Sequence, residues 1–497
     1  MTSLIIHGHF YQPPRENPWT GIIEPQPGAS PFHDWNERIH SECYWTNAFV
    51  QSGTEQTINN YKNISFNFGP TLLSWLQAHH AGTYEKILEA DKISAENRGG
   101  HGNAIAKAYG HAILPLCNDR DRFTQVLWGL ADFRFRFGRE AESLWLPETA
   151  CNEQTLDLLI EQGIRYVILA PGQAKRFRSA NGDWHEAAAE GIDTSRPYKY
   201  RHRTNLNRSL AVFFYDARIS QAIAFEKALR SSELLIGMVK ESARRGPLVN
   251  VATDGETYGH HFKFGDLALA HALEIEAKKE GLEVTNYGEF LDKHPPEFEV
   301  EISEGVAGEG SSWSCAHGVS RWRTDCGCHT GGEAGWNQSW RAPLRAALDF
   351  LRDTLATHFE DLGRDLFRDP WDARNFYIDL ILDEKGSRQK FFAEHARRSL
   401  SAAEQSRALT LLEMQRDALL MYTSCGWFFS EISGIETVQI LRYAARALEL
   451  GESLGVSSPR KEFLEILAGA RSNIHEFGTG ARMFQDLVEP KLAPVPA

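Results

Sequence analysis

The chain has 497 residues, 42% of them hydrophobic and 24% charged, with a formal net charge of −13. That length suggests about two to four domains, or one large barrel with a smaller domain. The acidic balance argues against nucleic acid as a partner, because phosphate contact needs a basic surface. No apolar run approaches the roughly 18 residues of a membrane span. The seven cysteines are an odd count that fits a reduced, cytoplasmic protein better than a disulfide framework.

The first ten residues carry no basic region ahead of a long apolar run, so no secretory leader is expected. Leu4 to Ile6 reads as a buried strand. His7-Gly8-His9-Phe10-Tyr11-Gln12-Pro13-Pro14 follows and reads as a polar loop at its carboxyl end. Arg15 to Pro31 is rich in Pro and Gly, a long loop of the kind that often carries function. Ile64 to Phe68 is a second strand, with a helix expected from Thr71 to Leu88.

Ser143 to Leu146 is a short strand that stops at Pro147, which has no N–H for a ladder. Glu148 then lies in a turn just past the strand end. From Asn152 the period changes to that of a helix, with Leu156, Leu159 and Ile160 on one face and Gly163 as its stop. Arg165 to Leu169, Ala211 to Tyr215 and Leu248 to Ala252 are further strands, the last running into Thr253-Asp254-Gly255-Glu256-Thr257-Tyr258-Gly259-His260-His261. Strands alternating with helices predict a parallel α/β sheet or barrel through about residue 300, and such folds place chemistry at strand carboxyl ends.

Residues 301–340 break the pattern and form a Gly-, Cys- and Trp-rich loop expected to lie over the active site. Residues 341–485 read as a helical domain. Leu344, Ala347, Leu348, Leu351 and Leu355 make one apolar stripe, and Ser401 with Glu404 makes a capping box. Residues 486–497 read as a Pro-rich tail, a linker to something further on.

Glu148 and Asp254 are two carboxylates at strand ends, the pair that glycosidic cleavage needs. Each could equally be a solvated acid in a surface turn. Glu256, beside Asp254, would push their pKa values apart and help keep one group protonated near neutral pH, and it is also a candidate substrate-binding residue. His7 and His9 have three readings: hydrogen bonding to sugar hydroxyls, structure, or metal binding together with Asp254 and His260. The last would make a metal-dependent hydrolase or deacetylase, and a barrel that binds glucan without cleaving it is a third alternative. Trp145, Trp313 and Trp322 could stack on sugar rings or fill the core. Cys315-Ala316-His317 and Cys326-Gly327-Cys328-His329 invite a zinc site, but no CxxC pair is present. A packed cap without metal is the expectation there.

Three stretches, HGHFYQPP (7–14), WLPETA (145–150) and DGETYGHH (254–261), resemble in order and spacing the conserved regions of glycoside hydrolase family 57. The resemblance implies an incomplete (β/α)7 barrel followed by a helical domain, and action on α-1,4-glucans with retention of configuration. It implies no cofactor. It makes Glu148 the nucleophile and Asp254 the acid/base, with His7 and His9 as sugar-binding residues. The family's first region runs H-x-H-Q-P, whereas here Phe10 and Tyr11 stand between His9 and Gln12. SCAHG (314–318) is similar to a stretch that some members place at the active site, which would make His317 a substrate contact.

Overall fold

The computed structural model describes residues 2–51 and 57–489. It is a mixed α/β structure whose strands lie before residue 303 and which is helical from Arg341 onward. Seven of the parallel strands are β1 (Ser3–Phe10), β2 (Ser65–Phe68), β3 (Ala106–Lys107), β4 (Leu144–Trp145), β5 (Tyr166–Leu169), β6 (Ser209–Phe214) and β7 (Leu248–Asp254), and the short strand Glu283–Val284 also pairs in parallel with the start of β1.

The strands join neighbour to neighbour. β1 pairs in parallel with β7 on one side and β2 on the other, with His9 opposite both Asp254 and Asn67. A bridge from Phe66 to Ala104 leads towards β3, which pairs with β4 so that Lys107 stands opposite Trp145. A bridge from Ser143 to Tyr166 leads to β5, and β5 pairs with β6. Between β6 and β7 the Asp216 N–H donates to the Asn250 carbonyl at 2.7 Å. Strands Ala174–Ser179, Pro197–Arg201 and Phe298–Ile302 extend β5 and β6 sideways as a partly antiparallel sheet.

Two elements differ from the sequence expectation. His7 to Phe10 continue the strand instead of forming a loop. With β7 and β2 on either side, their backbone groups are satisfied by the ladder, and all eight residues of β1 are buried. The helix expected over 71–88 is two, Pro70–His79 and Ala81–Asn97, broken at His80, whose backbone leaves the helical region.

The helical part has its own core, separate from that of the strands. α1 (Arg341–Gly363) buries its leucine stripe completely, and each such leucine contributes about 1.5–3 kcal/mol of apolar transfer. α2 (Ala402–Leu420) starts with a capping box in which Ser401 and Glu404 each satisfy the other's backbone N–H. α3 (Ile435–Ser453) packs along α2 and also meets the N-terminal loop, where Gln439 Nε2 donates to the Glu16 carbonyl at 2.8 Å and Arg442 pairs with Glu24. The Ser424 N–H donates to the His111 carbonyl at 3.0 Å, which brings the segment before Cys425 against the strand ends.

Phe484–Val488 is a helical turn, so the tail does not begin at residue 486. The rest of that segment, from residue 490, lies outside the described residues. Among the described residues no helix is long and apolar enough to cross a membrane.

Candidate active site

Glu148 is positioned by a two-residue strand and an abrupt turn. Pro147 ends β4, and Glu148 and Thr149 both take the left-handed backbone region, with φ of 58° and 48°. Non-glycine residues there store about 1–3 kcal/mol of strain each, which persists only where the surroundings over-determine it. The surroundings do so. Thr149 Oγ1 donates to Gln173 Oε1 at 2.8 Å, and Gln173 Nε2 returns a bond to the Thr149 carbonyl at 2.8 Å. From the loop above, Ser314 Oγ and Trp313 Nε1 donate to Glu148 Oε2 at 2.7 and 3.1 Å, and the Trp313 N–H donates to the Glu148 carbonyl at 3.1 Å. Burial pushes the Glu148 carboxyl up, while those two donors and the positive charges of Arg321 and Lys107 hold it down.

Asp254 is the last residue of β7 and the only exposed one on that strand. Its pKa is pushed up to about 8, first by its enclosed setting and then by the charges of Glu256 and Glu148, against a smaller opposing pull from Lys107. Glu256 is buried and receives Tyr44 Oη at 2.6 Å and the Tyr11 N–H at 2.9 Å. Burial still pushes it up to about 7. Glu256 is thus held in place by Tyr44 and Tyr11, two residues beyond Asp254.

The two N-terminal histidines play different parts. His7 is fully buried, with Nδ1 2.9 Å from Ser65 Oγ and Nε2 3.0 Å from Asn67 Oδ1, so both ring nitrogens are already engaged. Burial lowers its pKa to about 3, which keeps it neutral. It is a supporting group, not the sugar contact expected from sequence. His9 uses Nδ1 on the Asn67 amide at 2.9 Å and lies in register with Asp254 on the adjacent strand. It remains a candidate for substrate binding.

Both imidazoles stack on Trp145, at centroid distances of 4.7 and 5.0 Å with interplanar angles of 16° and 18°. The expected sugar platform at Trp145 is thus corrected: that ring is buried and stacks on both histidines. Trp322 is corrected too, being fully buried in the core of the helical part. Trp313 alone of the three is partly exposed, beside Glu148.

Three residues passed over in the sequence also gather here. Lys107 ends β3, is buried, and holds Nζ 3.2 Å from the centroid of the Tyr11 ring. Burial draws its pKa well down, and the nearby carboxylates of Glu256, Glu148 and Asp254 draw it back up, so it senses all three. Tyr11 and His111 meet ring to ring at 3.8 Å, and His111 is a further non-glycine residue at positive φ, 55°. Lys107 Nζ, Tyr11 Oη and His111 Nδ1 are buried without a hydrogen-bond partner in the protein. Buried polar atoms of that kind mark a place for a polar ligand. The available signal was Lys107 itself, a lysine in the middle of an apolar stretch.

The metal-hydrolase alternative is not supported by the geometry. His7 is saturated, and His260 is hydrogen-bonded through Nδ1 to Glu42. Among the described residues, the clusters with ligand atoms within 4.8 Å of one another are Cys315, His317, Cys326 and Cys328, and Glu37, His40 and His80. Neither contains His7, His9, Asp254 or His260. His317 turns Nδ1 to Cys328 Sγ at 3.6 Å, so its observed partner is a thiol and not a carboxylate of the cleft.

Comparison with known proteins gives the family. The chain matches the glycosyl hydrolase family 57 profile over residues 32–303 and a domain of unknown function over residues 336–496. It is 23% identical over 266 residues to an alpha-amylase of Pyrococcus horikoshii, covering 52% of this chain and 38% of that protein. It is 20% identical over 256 residues to a 4-alpha-glucanotransferase of Thermococcus litoralis, covering 50% and 36%. The chain thus spans well under half the length of these relatives. Among solved structures, an exo-type maltose-forming amylase from a Pyrococcus species superimposes with a TM-score of 0.68 at 15% identity, over 94% of this chain and 82% of that one. A branching enzyme from Pyrococcus horikoshii does so with a TM-score of 0.56 at 15% identity, over 100% and 98%. With the profile covering more than half of its residues, the chain belongs to glycoside hydrolase family 57.

Proposed function

We propose that the protein is a retaining enzyme acting on α-1,4-glucans by double displacement, hydrolysing them or transferring the glucan to another sugar. The observation that carries this reading is the unequal treatment of two carboxylates that share one electrostatic field. Glu148 receives two hydrogen-bond donors on Oε2, which favour its ionised form. Asp254 has acidic neighbours and a raised pKa, which favour its protonated form. A nucleophile and a general acid need that division.

In the first step Glu148 attacks the anomeric carbon while Asp254 gives its proton to the departing glycosidic oxygen. A covalent glycosyl-enzyme forms. In the second step Asp254, now ionised, takes a proton from water or from a sugar hydroxyl, which displaces Glu148. His9, Trp313 and the unpartnered polar atoms of Tyr11, Lys107 and His111 would contact the sugar. We read the seven parallel strands, each linked to the next, as the incomplete (β/α)7 barrel of the family. Domains would comprise the barrel, the loop of residues 301–340 as its cap, and the helical part. The unpaired state of all seven cysteines supports work in a reducing compartment, the cytoplasm.

The test is incubation with maltooligosaccharides, reading product lengths. Shorter products alone identify hydrolysis, and longer with shorter identify transfer. New 1,6-linkages identify branching. Glu148→Gln should lose turnover while retaining glucan binding. Turnover at the wild-type rate in that variant, or intact substrate at every wild-type concentration, overturns the reading.

A further inference from the structure

We propose that Cys315, His317, Cys326 and Cys328 form a structural zinc site that fixes the loop carrying Ser314 and Trp313 over Glu148. The argument rests on the shape of the cluster. Cys315 Sγ is 3.9 Å from Cys326 Sγ and 3.8 Å from Cys328 Sγ, and Cys328 Sγ is 3.6 Å from His317 Nδ1. Tetrahedral zinc, with bonds of about 2.3 Å to sulfur and about 2.0–2.1 Å to imidazole nitrogen, has S···S edges of about 3.8 Å and S···N edges of about 3.6 Å. Three of the six edges therefore already match that tetrahedron, and all four ligand atoms lie within 4.8 Å of one another. A disulfide would instead need two sulfurs about 2.05 Å apart, and all three cysteines are free.

Local structure explains how the unusual spacing manages this. Cys326 and Cys328 flank Gly327, whose φ of 81° is in the left-handed region, so the short Cys-Gly-Cys turn directs both thiols to one side. Backbone N–H groups of His317 and Arg321 are directed to Cys315 Sγ, and that of Ala316 to Cys328 Sγ. Such donors orient thiolate ligands. Three thiolates, a neutral imidazole and a divalent ion leave one net negative charge. Arg341, fully buried, donates from Nη1 to the Cys328 carbonyl at 2.9 Å, and Arg321 donates from Nη1 to the Ser314 carbonyl at 3.0 Å. Two guanidinium groups thus stand beside the cluster to balance that charge.

The position gives the site a purpose. Cys315 directly follows Ser314, the donor to Glu148, and Arg341 also binds the carbonyls of Phe428 and Phe429 in the helical part. A loop with one short helical turn across residues 303–340 has little ladder of its own. A metal knot would tie its two arms together at the residue next to the catalytic contact.

The test measures metal in the full-length protein, purified under reducing conditions. One zinc per chain is expected, retained through brief chelation and released when a mercurial blocks the thiols. Cys328→Ser should lose it. Cobalt exchanged into the unmutated protein should show the visible bands of a tetrahedral thiolate complex, an outcome independent of how any variant folds. Glu148→Gln should keep its zinc, so failure of the catalytic assignment and failure of this one are separable. A chain with no zinc and freely reactive native thiols would overturn the proposal. So would a disulfide among these cysteines, or an unchanged zinc content in Cys328→Ser.

Discussion

Glu148 is held from two sides by two kinds of structure. Below it, β4 and its neighbours are parallel strands whose backbone groups satisfy one another, so position follows from ladder register. Above it, the loop of residues 303–340 holds its shape through side chains: Ser314 and Trp313 on the carboxylate, Arg321 and Arg341 on backbone carbonyls, and a cluster of thiols. Register survives most single substitutions because it is spread over many bonds. A shape set by a few side chains does not. Glu148 is thus placed by the robust part of the molecule and tuned by the fragile part.

Substitutions on the two sides separate these roles. Asp254→Asn, at the end of a ladder strand, should lower kcat by roughly a thousandfold with glucan substrates, within the range for loss of a general acid. The wild-type rate should fall as pH rises through about 8, because Asp254 must carry its proton to act. Rate measurements across pH check both. Trp322→Ala, where the loop sends its own side chain into the helical core, should destabilise the protein by about 3–5 kcal/mol, read as a drop in denaturation midpoint.

Ser314→Ala removes one donor where the two sides meet. It should lower kcat/KM by about tenfold or more, at about 1.5–3 kcal/mol for a hydrogen bond to a charged group. That donor lowers the Glu148 pKa, so its loss should move the acid limb of the rate profile to higher pH. The smallest effect is expected from Glu256→Gln. Removing the Glu256 charge lets the Asp254 pKa fall, so the alkaline limb should move to lower pH. An unmoved limb would mean that burial alone sets that value.

The contrast also explains what could be read from sequence. Strand period, Pro147 after β4 and the DGE turn after β7 located Glu148 and Asp254, because ladder structure repeats every two residues and leaves a pattern. The extent of β1 was missed: His7 and His9 look like loop residues until Ser65 and Asn67, some 58 positions away, are seen to receive them. Trp145 and Trp322 could not be told from exposed aromatics, since neither the stacked histidines nor the second core leaves a local signal. The thiol cluster depends on a left-handed glycine and on a fold-back of the loop, neither of which has a spacing signature.

The left-handed backbone at Glu148 has an evolutionary implication. Asparagine and glycine adopt that conformation with less strain than glutamate. Replacing Glu148 by either should therefore silence the enzyme and make its scaffold harder to melt. On the proposed mechanism, a lineage that stopped needing catalysis would meet no folding barrier on the way to a sugar-binding descendant, and the acid at position 148 stands against the preference of the chain.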